Sequence, residues 1–329
     1  MDPIRLGIAG AGIGSLQTVG DLKTLKDKVR LTAIADIRRD NMEYLAGRYG
    51  EEVPFFDDVA AMCKSGTIGA VWIATPNSLH LEHTRAAAEN GIHVICEKPM
   101  AATLDQCLAM VEAIEGAGVR YVQGHSKVYD VPIREMGKVV RSGDLGRAVH
   151  IHTWNWNDLL LRGAMPSDLT TAGGSGALFR QGPHQVDIVR YLGGGEVRSL
   201  RAVAGRWDPN FPDCEGSYSA FMEFEDGTAA TLVFDGYGYF DIRELTWGWG
   251  EGARKGLNTD SVEPRERPTR PITPEEKYAN VHSGNPYGYG KGSGIDRDSP
   301  EGLPFFGLTV VTCERGVIRQ SPDGIYVYG

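Results

Sequence analysis

Across the first 125 residues, short apolar runs alternate with segments whose apolar positions recur every three or four residues. The runs IRLGIAG (4–10), VRLTAIAD (29–36), IGAVWIAT (68–75), IHVICEK (92–98) and VRYVQGH (119–125) predict strands. Between them, 15–27, 40–49, 79–91 and 103–117 predict helices, the last closed by Gly118. Strands that are apolar along their whole length and alternate with helices belong to a parallel sheet covered on both faces. Residues 1–125 are therefore expected to form a doubly wound α/β domain of the nucleotide-binding type.

The rhythm changes after this point. A helix at 130–142 precedes AVHIHTWNW (148–156), which alternates strictly, and a second helix follows His184. Strand-like segments near 197–207, 216–225 and 228–236 complete a pattern that reads as an open, largely antiparallel sheet with helices on one face. Residues 126–329 are expected to form this α+β domain. His150, His152, Trp154 and Trp156 share one face of their strand, which points to sheet packing or a subunit interface rather than to a ligand. The stretch 248–304 is rich in Gly and Pro with little periodicity. An arm to a neighbouring subunit, a lid or disorder all fit such a loop. Within it TPEEKYANV predicts one short helix, with Thr273 as N-cap and Pro274 in the first turn.

Composition narrows the function. A chain of 329 residues is long enough for two cores, and a net charge of −9 argues against nucleic-acid binding. No signal-peptide pattern opens the chain and no apolar run reaches membrane-spanning length, so a cytoplasmic protein is expected. Cys63, Cys96, Cys107, Cys214 and Cys313 are scattered and never form CxxC, which suits reduced thiols rather than a disulfide framework or zinc site. His80 and His83 lack both the HExxH spacing and a third ligand nearby; they read as a helix start, and no metal is expected.

The chemistry begins at GIAGAGIGS (7–15), which follows the first strand and opens the first helix. In the GxGxxG register the positions are Gly10, Gly12 and Ser15, with Ile13 and Gly14 between the last two. Gly10 permits the tight turn, Gly12 lets backbone approach a pyrophosphate, and a small residue at 15 lets the helix pack on the sheet. The helix start supplies N–H groups and positive potential for phosphates. Asp36 ends the second strand 21 residues after Ser15, where a carboxylate can accept from a ribose diol and repel a 2′-phosphate. NAD is the expected cofactor. Arg38 and Arg39 follow closely and keep NADP open.

ATPNSLHLEH (74–83) and GIHVICEKPMA (91–101) resemble the two signature stretches of the glucose–fructose oxidoreductase / inositol dehydrogenase (Gfo/Idh/MocA) family, the second carrying Glu97-Lys98-Pro99. The resemblance extends into the second half through Gly182, His184 and Asp187. It implies that Thr75, Pro76, Asn77 and His80 line the cofactor and that Glu97 and Lys98 stand beside the nicotinamide. It also implies that Lys98 steadies the substrate oxygen while His184 acts as general base. An imidazole of ordinary pKa near 6.5 suits that task. The family places an Asp four residues before the His, and this chain has Arg180 there. Arg180 cannot accept a proton, but a guanidinium binds a carboxylate bidentately.

QGPHQVDIVR, GYGYFDIRELTWG and FFGLTVVTCERGVIRQSPDGIYVY resemble the subgroup of phthalate- and chlorobenzoate-type cis-dihydrodiol dehydrogenases, whose substrates carry such a carboxylate. Members of that subgroup continue past such a segment, so an extension beyond Gly329 is expected. The implied activity is NAD(P)-dependent oxidation of a secondary alcohol of a cyclic diol by a homodimer or homotetramer, with Lys98, Arg180 and His184 on the substrate. A sugar or inositol dehydrogenase is the alternative within the family. A dinucleotide-dependent regulator without catalysis is the alternative outside it; the absent Asp supports it, and the intact Lys98 and His184 oppose it.

Overall fold

The computed structural model describes residues 2–165, 169–171, 174–251, 268–281 and 302–329. Most of the Gly- and Pro-rich stretch 248–304 therefore lies outside the described residues. The described part falls into two compact units, drawn from 1–124 with 172–174 and from 125–171 with 175–329.

The first unit is built from β1 (Ile4–Ala9), α1 (Ile13–Leu22), β2 (Val29–Ala35), α2 (Arg39–Tyr49), β3 (Phe55–Phe56) and α3 (Val59–Lys64). It continues through β4 (Ala70–Ile73), α4 (His80–Glu89), β5 (His93–Cys96), α5 (Leu104–Ala117) and β6 (Tyr121–Gln123). Its six strands run parallel in the order β3-β2-β1-β4-β5-β6, the doubly wound arrangement expected. Each face carries its own core. Val19 of α1 and Met42, Leu45 and Tyr49 of α2 pack with Leu6, Ile8 and Trp72 on one side. Met62 of α3, Ala87 of α4 and Met110 and Ile114 of α5 pack with Val71, Ile73 and Val94 on the other.

Pattern reading missed β3 and α3, because two and six residues are too few for a period to show. Asp58 caps α3 through Ala60 N and Ala61 N, a local signal that needs no period. The helix expected over 15–27 is shorter: α1 ends at Leu22 and a 3₁₀ turn, Lys23–Leu25, follows it.

The second unit holds α6 (Val131–Ser142), β7 (Ala148–Trp156), α7 (Gly176–Arg180), α8 (Gly182–Gly193), β8 (Val197–Gly205), β9 (Ser217–Phe224) and β10 (Ala229–Asp235). It ends with α9 (Pro274–Val281), β11 (Leu308–Cys313), β12 (Gly316–Ser321) and β13 (Gly324–Tyr328). The seven strands lie in the order β13-β12-β11-β7-β10-β9-β8. All neighbours are antiparallel except β7 and β10, so the sheet is open and largely antiparallel as expected.

Ile133 and Met136 of α6 and Ile188, Val189 and Leu192 of α8 bury one face of this sheet against Ile151, Phe224, Leu232, Phe234 and Val311. Each such aliphatic side chain contributes on the order of 1.5–3 kcal/mol. His150, His152, Trp154 and Trp156 lie on the opposite face. His150, His152 and Trp154 follow one another at ring separations of 6.1 and 5.7 Å. The helix α9 appears where its cap predicts it: Glu276 N donates to Thr273 Oγ1 at 3.2 Å, and Thr273 N to Glu276 Oε2 at 2.8 Å. That reciprocal pair is a capping box.

Candidate active site

In the first unit the residues singled out from sequence gather at the C-terminal ends of the parallel strands. Gly10 turns the chain after β1 with φ +91°, and a Cβ there would stand 2.7 Å from Ala74 O. Only glycine fits that turn. At Gly12 an added Cβ would meet nothing within 4 Å, and no side chain caps α1 there. Gly14 faces Ala74 and Glu97, whose Cγ would lie 4.0 Å from its Cβ. Ile13 starts α1.

Ser15 does more than stay small. Its buried hydroxyl donates to Gly10 O at 2.8 Å and Gly12 O at 3.0 Å, tying the first helical turn to the glycine loop. Asp36 closes the same loop from the other side. Its Oδ2 accepts from Ala11 N at 2.7 Å and its Oδ1 from Arg38 N at 2.8 Å. A carboxylate has about four acceptor sites, so capacity remains for a diol.

The arginines that kept a 2′-phosphate open are engaged by acids of their own helix. Arg38 pairs with Asp40 through Nε at 3.2 Å and a terminal nitrogen at 2.6 Å, holding the Asp40 carboxyl below its usual range. Arg39 pairs with Glu43 at 3.0 Å and lies over the Phe55 ring.

The loop after β4 is anchored from beneath. Thr75 Oγ1 meets His83 Nδ1 at 2.9 Å, and burial holds the His83 imidazole below its ordinary pKa. Asn77 donates its side-chain amide to Gly174 O at 2.9 Å. Pro76 leads into the 3₁₀ turn Asn77–Leu79. His80 is wholly buried, with Nε2 3.0 Å from Thr75 O and Nδ1 3.0 Å from Pro99 O. It therefore ties the loop that follows β4 to the loop that follows β5 and presents no ring surface to solvent.

Lys98 follows β5, half-buried, and its bond to Pro99 is cis. The backbone before it is fixed by Gln123, a residue that sequence reading did not single out. Its amide donates to Cys96 O at 3.1 Å and Glu97 O at 3.0 Å, while its own oxygen accepts from Tyr121 Oη at 2.6 Å. The sequence signal was a polar residue next to Gly124, where a Cβ would come within 2.9 Å of Cys96 O.

In the second unit Arg180 ends α7 and His184 stands in the first turn of α8, with Pro183 at the helix start. His184 is 5% exposed and meets Phe306 edge to face at 4.9 Å. The next residue, Gln185, is fully buried and was also missed. Its amide nitrogen donates to Thr153 O and Val233 O, both at 3.1 Å, and its oxygen accepts from Tyr218 Oη. Those bonds fix the start of α8 on β7 and β10. Asp187, one turn on, faces His125 at 3.7 Å.

Arg180 and the buried Lys277 of α9 line one small cavity, and the proximity of Arg180 helps to depress the Lys277 ammonium. Lys277 shares the buried face of α9 with Val281, an i, i+4 spacing that could have marked it. Lys98 belongs to the first unit, and Arg180 and His184 to the second.

Residues 4–125 match the model of an oxidoreductase family with an NAD-binding Rossmann fold, and residues 133–241 match the Gfo/Idh/MocA C-terminal domain. The 1-carboxy-3-chloro-3,4-dihydroxycyclohexa-1,5-diene dehydrogenase of Comamonas testosteroni is 31% identical over 99% of this chain and 81% of its own length. The chain belongs to the Gfo/Idh/MocA family. Inositol 2-dehydrogenase 3 of Saccharopolyspora erythraea is 30% identical over 62% of this chain, an alignment that spans 57% of that enzyme. The crystal structure of a protein of Bordetella bronchiseptica RB50 assigned as a dehydrogenase superposes with a TM-score of 0.86. It is 32% identical, and the match covers 99% of this chain and 83% of that one.

As a Gfo/Idh/MocA protein the chain is an NAD(P)-dependent oxidoreductase with NAD as its cofactor. The residues present fit a dinucleotide. Open space at Gly12 and an α1 start without a side-chain cap suit a pyrophosphate, and the unfilled acceptor sites of Asp36 suit a ribose diol.

Proposed function

We propose that this family member oxidises a secondary alcohol of a carboxylated cyclic diol, the substrate class named in its Comamonas relative. The observation that carries the reading is Arg180. A guanidinium replaces the acid expected four residues before His184, in a chain similar over nearly its whole length to an enzyme named for a carboxylated substrate. A fixed cation there suits an anionic substrate and repels none of its hydroxyls.

In this reading the first unit holds NAD with Gly10, Gly12, Ile13 and Gly14 at the pyrophosphate and Asp36 at the ribose. Thr75, Pro76, Asn77 and Glu97 line the cofactor, and His80 supports them from below. NAD supplies the hydride acceptor when bound. The Lys98 ammonium donates a hydrogen bond to the substrate oxygen and stabilises its alkoxide character. The imidazole of His184 takes the hydroxyl proton. Arg180 pairs with the carboxylate and orients the ring.

Assembly as a homodimer or homotetramer through the open face of the second sheet belongs to the same reading, supported by Trp154 and Trp156 on that face. Five free cysteines fit a reducing compartment such as the cytoplasm. The similarity to an inositol dehydrogenase favours a second reading, oxidation of an uncharged polyol.

The two readings separate in steady-state kinetics. The panel is carboxylated cis-dihydrodiols, inositol and simple sugars, each followed at 340 nm with wild type and Arg180→Ala. The carboxylate reading predicts turnover of the acids alone and a KM raised at least tenfold in the variant, with kcat less affected. Equal turnover of inositol with an unchanged variant supports the polyol reading instead.

A further inference from the structure

Lys98 follows the end of β5, and the residue after it, Pro99, has no N–H with which to pair. The carbonyls of this loop are what neighbouring elements hold. From β6, the Gln123 amide donates to Cys96 O at 3.1 Å and to Glu97 O at 3.0 Å. From the first turn of α4, His80 Nδ1 lies 3.0 Å from Pro99 O and 3.3 Å from Met100 O. Two side chains thus engage the two carbonyls before Lys98 and the two after it.

Both side chains are themselves fixed. Carbonyl oxygens only accept, so the end of the Gln123 amide that faces two of them is its nitrogen, and both of its N–H groups are in use. Its oxygen accepts from Tyr121 Oη at 2.6 Å, and burial, which pushes that hydroxyl up, keeps it protonated as the donor. By the same rule His80 carries a proton at Nδ1 when it holds the loop after β5. Its other nitrogen, 3.0 Å from Thr75 O, joins the ring to the loop after β4.

A lysine amine rides on a flexible four-carbon stem, so it is aimed no better than its Cα. Misplacing a reacting group by about 1 Å costs on the order of 100-fold in rate. We propose that Gln123 and His80 are positioning residues for Lys98, holding the carbonyls on both sides of it so that its amine meets the substrate oxygen. This rests on the reading in which Lys98 steadies that oxygen. It adds two residues from separate elements whose effect on the chemical step runs through Lys98. His80 has a second effect, through Thr75, on the loop that the same reading lays along the cofactor.

The test uses the full chain and four variants, each checked by its thermal midpoint. Gln123→Met has nearly the size of glutamine without its donors. His80→Leu removes both ring nitrogens, His80→Asn returns a donor near the Nδ1 position, and His80→Gln returns one near Nε2. Each is made in wild type and in Lys98→Met. The readouts are kcat with saturating NAD and whichever of a carboxylated cyclic dihydrodiol and inositol reduces it, the NAD dissociation constant, and hydrogen exchange in peptides spanning 94–101. The last needs no substrate.

Gln123→Met is expected to lower kcat about 10–100-fold, with the NAD dissociation constant within about twofold of wild type, and to speed exchange over 94–101. His80→Asn should recover most of the kcat lost in His80→Leu, whereas His80→Gln should recover NAD affinity without kcat. In Lys98→Met the same substitutions should lower the residual kcat no further, because groups that act as a unit are not additive. Unchanged exchange over 94–101 in both Gln123→Met and His80→Leu overturns the positioning role, with or without a substrate. So does an undiminished further loss in Lys98→Met, since the two side chains then act apart from the lysine. If Lys98→Met abolishes turnover while Gln123→Met and His80→Leu keep the wild-type kcat, the lysine reading stands and the positioning role falls. If Lys98→Met itself turns over like wild type, both fall together. Should His80→Leu unfold, His80→Asn against His80→Gln makes the same comparison.

Discussion

Asp36 holds the glycine turn and, in the proposed reading, receives the ribose diol, so its substitution removes both together. The carboxylate fixes the glycine turn through Ala11 N and retains capacity for a diol. Asp36→Ala is expected to weaken NAD at least tenfold, since a charge-assisted acceptor and the turn it holds are lost together. It should not create affinity for NADP, because Arg38 and Arg39 are held by Asp40 and Glu43. Dissociation constants from quenching of tryptophan fluorescence check both statements; tight NADP binding by the variant contradicts them.

What sequence can give at this scale is identity in a motif. Gly10 and Asp36 were legible as the tight turn and the acid that closes it, because that turn needs those residue types at those spacings. Gln123 and Gln185 were not, because each acts through partners distant in sequence, such as Thr153 and Val233 for Gln185. Ser15 was half-legible: its size was read, but its bonds to Gly10 O and Gly12 O needed coordinates.

Among the elements, α8 has the most to lose from a single change. It presents His184 in its first turn and buries Ile188, Val189 and Leu192 below. Gln185 fixes its start through four groups: Thr153 O, Thr153 Oγ1, Val233 O and Tyr218 Oη. Gln185→Leu leaves the carbonyls and the tyrosine hydroxyl buried without that partner. It is expected to cost about 2–4 kcal/mol in urea unfolding. It should also lower kcat, through displacement of His184, more than it alters NAD binding. Unchanged unfolding would contradict the anchoring role.

Strand and helix positions in the first unit were legible because parallel strands are apolar throughout and their helices carry a clear period. β3 and α3 were too short for that. β11, β12 and β13 were quoted for resemblance rather than read as strands; β11 pairs with β7, and β12 and β13 follow it in turn, extending the second sheet on the side away from β10.

For the molecule as a whole, charge and segment pattern excluded more than they assigned. A net charge of −9 and the absence, among the described residues, of a helix long and apolar enough to cross a membrane bound the partners without naming a reaction. The reaction type follows from the glycine turn, the Glu97-Lys98-Pro99 stretch and family membership together. In the proposed reading substrate choice rests on a few side chains, Arg180 first among them, whereas fold and cofactor follow from motifs and segment pattern that sequence displays directly.

The central claim is hydride removal from a ring carbinol carbon of a carboxylated cyclic diol. Its most direct measurement uses such a diol deuterated at the carbinol carbons, incubated with the protein and NAD, with the reduced cofactor examined by proton NMR. The account predicts one deuterium at C4 of the nicotinamide, on one face, and loss of the reaction in Lys98→Met. Reduced cofactor without deuterium, or deuterium transferred undiminished by Lys98→Met, would contradict it.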